Sequence, residues 1–185
     1  LTIPVDLLVH SAELQLDEPG IHGRIATACE DAISRSLLRA GAPSSNAVTM
    51  HRLVSHVMRA EAAEVWPDAR LVLIDAIRDF LEPADEVYDT ASLTGLGPYV
   101  AQADHLIGDG PHDEIEADVA SYMSRFELAQ GAYRAALAHA ERVADALTGL
   151  VGIDHPRTII ARNTVGSCLL AAGRQTEALD IFEEL

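Results

Sequence analysis

The sequence predicts a mainly α fold, and three observations lead to this prediction. Ala and Leu dominate a composition that is 49% apolar but only 4% aromatic, which suits helices packed closely through small side chains. Two C-terminal segments, "AQGAYRAALAHAE" and "AAGRQTEALDIFE", match when Gly131 is placed on Gly173, and we call this offset one repeat. A short hairpin pattern interrupts the helical patterns near the N-terminus. We therefore expect a small N-terminal domain, a helical connector and a solenoid of stacked helix pairs.

The N-terminal section, residues 1–65, is predicted to be a winged-helix domain. "IPVDLLVHSAEL" reads as a first helix, and "HGRIATACEDAISRSLLRA" holds one or two more. Two short extended pieces, "SLL" and "AVTMH", flank "RAGAPSSN", whose Gly, Pro, Ser and Asn are typical of a hairpin loop. Three helices with a two-stranded hairpin make a winged helix.

The middle section, residues 66–113, is predicted to be a helical connector. "DARLVLIDAIRDFL" spaces its apolar residues by three and four, which predicts one buried helix face formed by Leu71, Ile74, Ile77 and Leu81. "ASLTGLGPYVAQADHLI" predicts one or two helices with a break near Gly97-Pro98. Trp66 and Tyr99 are expected to be packing anchors.

The C-terminal section, residues 114–185, carries the internal match. In each matched segment a helix is expected to end at Gly, which adopts positive φ without a Cβ clash, and a second helix follows. Ala136 falls on Ala178, and these small side chains allow the helices to approach closely. Helix pairs at a fixed period predict an α-solenoid whose last unit is truncated.

The segment "DHPRTIIARNTVGSCLLAAGRQTEALDIFEEL" resembles the tetratricopeptide repeat in its longer, kinesin-light-chain-like form. Asp154 is expected to cap the first helix, and Pro156 suits its first turn. Gly166 occupies the small position of the first helix, and Phe182 occupies the large position of the second. The resemblance implies a fold of stacked helix pairs with a concave, partner-binding face.

The first helix of each pair usually lines that face, which indicates three partner-binding residues in the last unit: Asn163, Ser167 and, at the edge, Leu170. An amide can hydrogen-bond an extended peptide backbone, so Asn163 is the main candidate. The alternative is that Asn163 is a solvent-facing helical residue.

A second resemblance involves "SRSLLR" and "VTMHRLVSHVMR", which look like the winged-helix portion of NB-ARC-type signalling NTPases of the STAND class. The resemblance implies that His51, preceded by Met50, senses the phosphates of ADP bound in an upstream nucleotide-binding domain. Arg52 departs from plant members, which have Asp at this position. The alternative is that His51 is a structural residue of the hairpin or of the winged-helix core.

The chain itself has no phosphate-binding loop, because its 13 basic residues are all Arg and the loop needs a Lys. No cofactor is therefore expected in this segment, and ATP or ADP is implied only for a longer protein. The chain begins at Leu1 instead of Met and stops in a helical pattern, so we expect it to be a piece of such a protein. We expect no enzymatic activity from the segment alone.

Composition also bears on partners and location. A formal net charge of −16 disfavours contact with nucleic-acid phosphates, and no apolar stretch is long enough to cross a membrane. Cys29 and Cys168 lack metal-binding or disulfide spacing, which favours a reduced, cytoplasmic chain. His105 and His112 lie among carboxylates, and we interpret this stretch as an acidic loop and not as a metal site.

These inferences indicate a regulatory and protein-interaction segment of an ATP/ADP-switched signalling NTPase. The repeats would bind a partner, and the winged helix would couple them to the upstream domain. Two alternatives remain. One is a non-catalytic repeat scaffold that self-associates as a homo-oligomer through its exposed end. The other is part of a multidomain transcription regulator.

Overall fold

A computed structural model describes residues 2–15, 20–41, 46–50, 54, 57, 66–82 and 95–185, with the side chains of residues 66 and 67 excepted. The mainly α prediction is confirmed, since this part of the chain contains eight helices and one small sheet. The elements are, in chain order, β1 (Thr2–Pro4), α1 (Val5–Gln15), α2 (Ile21–Ser34), β2 (Leu38–Ala40), β3 (Ala47–Met50), α3 (Trp66–Leu81), α4 (Gly97–Ile107), α5 (Glu114–Ala129), α6 (Tyr133–Val151), α7 (Pro156–Ala171) and α8 (Gln175–Glu183).

The sheet is antiparallel, in the order β1-β3-β2. The predicted hairpin is confirmed, because β2 pairs with β3 and Leu38 lies opposite Met50. The N-terminal residues Ile3 and Pro4, expected in the first helix, instead form β1 on the other side of β3. This pairing joins residues far apart in the chain, and local apolar periodicity carries no information about it.

Two helices, α1 and α2, precede the hairpin in the described residues, so the third helix of the predicted winged helix is not seen there. α2 is one continuous helix, and of its side chains only Ile21 is buried. The winged-helix assignment for residues 1–65 therefore stays a prediction.

Two connector helices, α3 and α4, are present in the described residues, with one difference from the sequence pattern. Ile74, Ile77 and Leu81 are buried in the core as expected, whereas Leu71 is half exposed because it lies at the solvent edge of α3. Gly97-Pro98 begins α4, with Pro in the first turn, at the place where a break was predicted, and residues 83–94 before it lie outside the described residues.

The N-terminal section contacts the connector through hydrogen bonds to α4, whose Tyr99 also packs on an aromatic ring of α3. The Tyr99 hydroxyl donates to Asp6 Oδ2 at 2.6 Å, and the Gln102 amide donates to the Thr2 carbonyl at 2.6 Å. The Tyr99 ring is buried and stacks on Phe80 with a centroid distance of 4.5 Å. Tyr99 is thus the packing anchor that was expected, whereas the side chain of Trp66 lies outside the described residues.

We expect Tyr99→Phe to lower the free energy of unfolding at neutral pH. We also expect this free energy to fall less steeply in the variant as the pH rises into the alkaline range. Burial, followed by the hydrogen bond and charge of Asp6, raises the pKa of Tyr99. The stability that Tyr99 contributes is therefore complete below pH ~10, where the unfolded side chain ionises, and is lost as the pH rises above it. Urea unfolding should show a loss of about 1 kcal/mol in the variant at pH 8 and a smaller difference at pH 11. Equal differences at both values would contradict the prediction.

The helix pairs repeat in backbone detail, which confirms the match read from the sequence. Gly131 and Gly173 have φ values of 75° and 78°. The amide of Gly131 donates to the Leu128 carbonyl at 3.0 Å, and one repeat later the amide of Gly173 donates to the Leu170 carbonyl at 3.0 Å. Both helix ends therefore use the same left-handed glycine cap.

The start of α7 differs from the expectation in its cap. His155, not Asp154, is the N-cap, and its Nδ1 accepts from the amide of Arg157 at 3.3 Å. Asp154 lies one residue too early to reach these amides, while Pro156 occupies the first turn as predicted.

Candidate partner-binding site

The three residues predicted to bind a partner lie along one side of α7, at spacings of four and three residues. Asn163 and Leu170 are exposed, and Ser167 is partly exposed. The Ser167 hydroxyl donates to the Asn163 carbonyl at 3.0 Å, so it satisfies the helix backbone. In the described part of the chain the Asn163 side-chain amide makes no hydrogen bond, and its donors and acceptor are available to a ligand.

The repeat provides equivalent positions on α5, the first helix of the preceding pair. A shift back by one repeat takes Asn163 to Ser121, Ser167 to Arg125 and Leu170 to Leu128. We call the surface formed by Ser121, Tyr122, Arg125, Asn163 and Ser167 the α5–α7 face. It combines hydroxyl, amide and guanidinium groups on two adjacent helices.

Sequence reasoning missed Arg157, which joins the two first helices. Its guanidinium contacts the carboxylates of Glu114 and Asp118 and donates to the Glu114 carbonyl at 3.2 Å. Arg157 is in the first turn of α7, and both acidic residues are near the start of α5. The contact sets the spacing of the α5–α7 face at this end.

Tyr122 is a second residue that sequence reasoning missed. Burial raises the pKa of Tyr122, the charges of Glu82 and Asp118 raise it further, and those of Arg78 and Arg157 lower it. Tyr122 thus lies among charged groups of three elements: the end of α3, α5 and the start of α7. Shifting the predicted partner-binding stretch of α7 back by one repeat would have pointed to this part of α5.

Charged side chains surround His139 on α6. Arg142 Nη2 lies 2.8 Å from His139 Nδ1, and His139 Nε2 lies 3.3 Å from Glu127 Oε1 and 3.8 Å from Asp104 Oδ1. Arg is always a donor, so Nδ1 accepts and Nε2 carries the proton. The contacts of His139 and Arg142 join α6 to Asp104 of α4 and Glu127 of α5, so we interpret the cluster as structural.

Within the described ranges, no group of three His, Cys, Asp or Glu residues is arranged to hold a metal ion. None of the helices described has the length and apolarity needed to cross a membrane. His51, the predicted phosphate sensor, lies outside the described residues, as does Arg52. Met50 ends β3 opposite Leu38.

Comparison with known families identifies one region of the chain. Residues 115–185 match the family model described as tetratricopeptide repeat. No curated protein matches the chain. Tetratricopeptide repeats bind protein partners, and the match supports this role for the C-terminal region.

Proposed function

We propose that the repeats bind an extended peptide segment of a protein partner on the α5–α7 face, with Asn163 hydrogen-bonding the peptide backbone. First helices of stacked pairs line the concave side of such solenoids, where peptides bind. Ser167 and Leu170 flank the contact, and Tyr122 offers an aromatic surface from the neighbouring helix.

The observation that carries this proposal is that the Asn163 side-chain amide has no hydrogen-bond partner among the described residues, whereas two serine hydroxyls of the same face are already satisfied. Ser121 and Ser167 both donate to their own helix backbone, at 2.8 Å and 3.0 Å. They therefore shape the surface without competing for a ligand. The Asn163 amide can donate and accept at once, which matches the alternating groups of an extended backbone.

Asn163→Ala should weaken peptide binding without unfolding the protein. The whole chain would be used to select binders from a displayed library of short random peptides, and the affinity of a selected peptide would be measured by calorimetry. Loss of one net hydrogen bond should raise Kd about three- to tenfold, because such a bond contributes about 0.5–1.5 kcal/mol.

Asp145→Ala is the matched control, because Asp145 is an exposed helical residue of α6 outside this face. It should leave Kd unchanged. Peptides that bind Asn163→Ala as tightly as the original chain, or that respond to Asp145→Ala instead, would place the peptide site elsewhere.

We also infer a switch role for the segment in a longer protein, resting on its resemblance to NB-ARC-type NTPases. The chain has no Lys for a phosphate loop, so ATP or ADP would be bound by a separate domain. The contribution of the chain would be mechanical coupling. The bonds from Tyr99 to Asp6 and from Gln102 to Thr2 support this role, because they join the N-terminal section to the helices that precede the repeats.

The coupling is tested in a protein that also carries the nucleotide-binding domain. His51→Ala should change the rate of ADP release, measured with a fluorescent ADP analogue, whereas the exposed His112→Ala should not. An unchanged rate of ADP release would favour the alternative in which the chain is a non-catalytic repeat scaffold. Salt-dependent DNA binding by the chain would favour the transcription-regulator alternative.

A further inference from the structure

Two contacts between α5 and α7 lie on either side of the α5–α7 face. At one end, the Arg157 guanidinium of α7 contacts the carboxylates of Glu114 and Asp118 on α5. We call this contact the Arg157 clamp. Further along the same two helices, Ser124 Oγ of α5 lies 3.8 Å from Cys168 Sγ of α7.

The residues proposed to meet a peptide lie between these two contacts. On α5, Tyr122 lies between Asp118 and Ser124. On α7, Asn163 lies between Arg157 and the stretch that contacts Ser124. The two contacts together therefore set the distance that a peptide spans between Tyr122 and Asn163.

The two contacts differ in their exposure to solvent. Ser124 and Cys168 are both 0% exposed, so the helices separate there only if the core opens. The side chains of Arg157, Asp118 and Glu114 are 31%, 42% and 55% exposed. The start of α7 is therefore free to move away from α5 when the ion pairs break, while the buried contact stays closed.

Two further side-chain bonds hold the start of α7 to its own preceding loop. His155 Nδ1 accepts from the Arg157 amide at 3.3 Å, and the Thr158 hydroxyl donates to the Gly152 carbonyl at 2.7 Å. These bonds shape the first turn of α7 but do not reach α5. The Arg157 guanidinium does reach it, at two carboxylates one helical turn apart and at the Glu114 carbonyl, 3.2 Å away.

We propose that Arg157 is a positioning residue for peptide binding on the α5–α7 face. Its guanidinium holds α5 and α7 at the spacing at which one extended peptide contacts Tyr122 and Asn163 together. A spacing that is fixed before the peptide arrives lowers the free-energy cost of binding. This role rests on the peptide site proposed above, and it requires no contact between Arg157 and the peptide.

Arg157→Met in the whole chain should raise the Kd of a selected peptide about two- to fivefold, because an exposed ion-pair network shifts an equilibrium by no more than about fivefold. A peptide with blocked termini and no charged side chains is used, so that it cannot pair with Arg157. Arg162→Met is the matched control, since Arg162 also lies on α7 but bonds to Glu184 at the end of α8, at 2.7 Å. It should leave Kd unchanged, and circular dichroism checks that both variants are folded.

Opening the Arg157 clamp from α5 separates positioning from direct contact. Glu114→Gln combined with Asp118→Asn keeps Arg157 but removes the charges of its partners, and should raise Kd by the same factor as Arg157→Met. Adding Arg157→Met to this variant should cause no further rise, because the clamp is already open. A further rise would show that Arg157 contacts the peptide itself and would overturn the positioning role.

Exchanging the charges across the Arg157 clamp should restore binding. Glu114→Arg combined with Arg157→Glu moves the guanidinium to α5 and leaves the net charge unchanged, so Kd should return to within about twofold of its original value. Salt gives a second readout. Raising the salt concentration should weaken binding to the original chain but not to Arg157→Met, because only the original chain has a clamp to screen.

The results also separate this role from the peptide site on which it rests. An unchanged Kd in Arg157→Met, together with weaker binding in Asn163→Ala, would overturn the positioning role and leave the peptide site in place. A peptide whose Kd is the same in Asn163→Ala as in the original chain would contradict the site itself, and the positioning role with it.

Discussion

Arg70→Met should lower the free energy of unfolding by about 3–5 kcal/mol, because it leaves a buried carboxylate without its cation. Glu116 is 1% exposed, and its Oε1 accepts from Arg70 Nη1 at 2.5 Å. The same guanidinium donates to the Leu106 carbonyl at 3.1 Å and 3.0 Å. In the variant, the amide of His112, 2.9 Å from Glu116 Oε2, would be the remaining donor to this carboxylate in the described structure.

Two further variants test whether the loss of stability comes from the buried, unpaired carboxylate of Glu116 and not from the removal of an arginine as such. Arg78→Met removes partly exposed ion pairs with Asp75 and Asp79, and should cost at most about 1 kcal/mol. Arg70→Met combined with Glu116→Leu removes both buried charges and should recover much of the loss. Urea unfolding followed by circular dichroism gives all three values. A double variant no more stable than Arg70→Met would show that the hydrogen bonds, not the buried charge, dominate.

Gly166→Ala should destabilise the last helix pair, although alanine favours a helix. A Cβ at position 166 would overlap Phe182 Cε1 and lie 2.6 Å from Phe182 Cζ. Moving this ring should cost about 1–3 kcal/mol. The helix gains roughly 0.5–1 kcal/mol on losing a glycine, so we expect a net loss of at most about 2.5 kcal/mol.

Gly149→Ala makes the same chemical change in α6, at a position where a Cβ meets no atom of the described structure within 4 Å. It should stabilise the protein by roughly 0.5–1 kcal/mol. The midpoint of thermal unfolding should therefore fall in Gly166→Ala and rise in Gly149→Ala. The double variant Gly166→Ala/Phe182→Leu should lose less stability than the sum of the losses in the two single variants. The reason is that leucine leaves room for the Cβ at position 166. Similar shifts for both single variants would rule out the clash.

Most of the repeat region could be predicted from the sequence because its determinants are local. Gly131 and Gly173 end helices through their backbone freedom, and Gly166 and Phe182 meet as their positions in the repeat imply. The spacing also predicts that Asn163, Ser167 and Leu170 share one side of a helix, which α7 confirms, while their binding role stays a prediction. Tyr122 and Arg157 were missed because their roles come from neighbouring helices.

The sequence by itself determined the helical class, the hairpin and the repeat that relates Gly131 to Gly173, because periodicity and turn chemistry act over short stretches. Only the tertiary structure decided that Ile3 and Pro4 form a strand, that Arg70 is paired with the buried Glu116, and that Leu71 faces solvent. Each of these depends on residues distant in the chain. The free energy of such contacts comes from burial and pairing in the folded state, which no local pattern encodes.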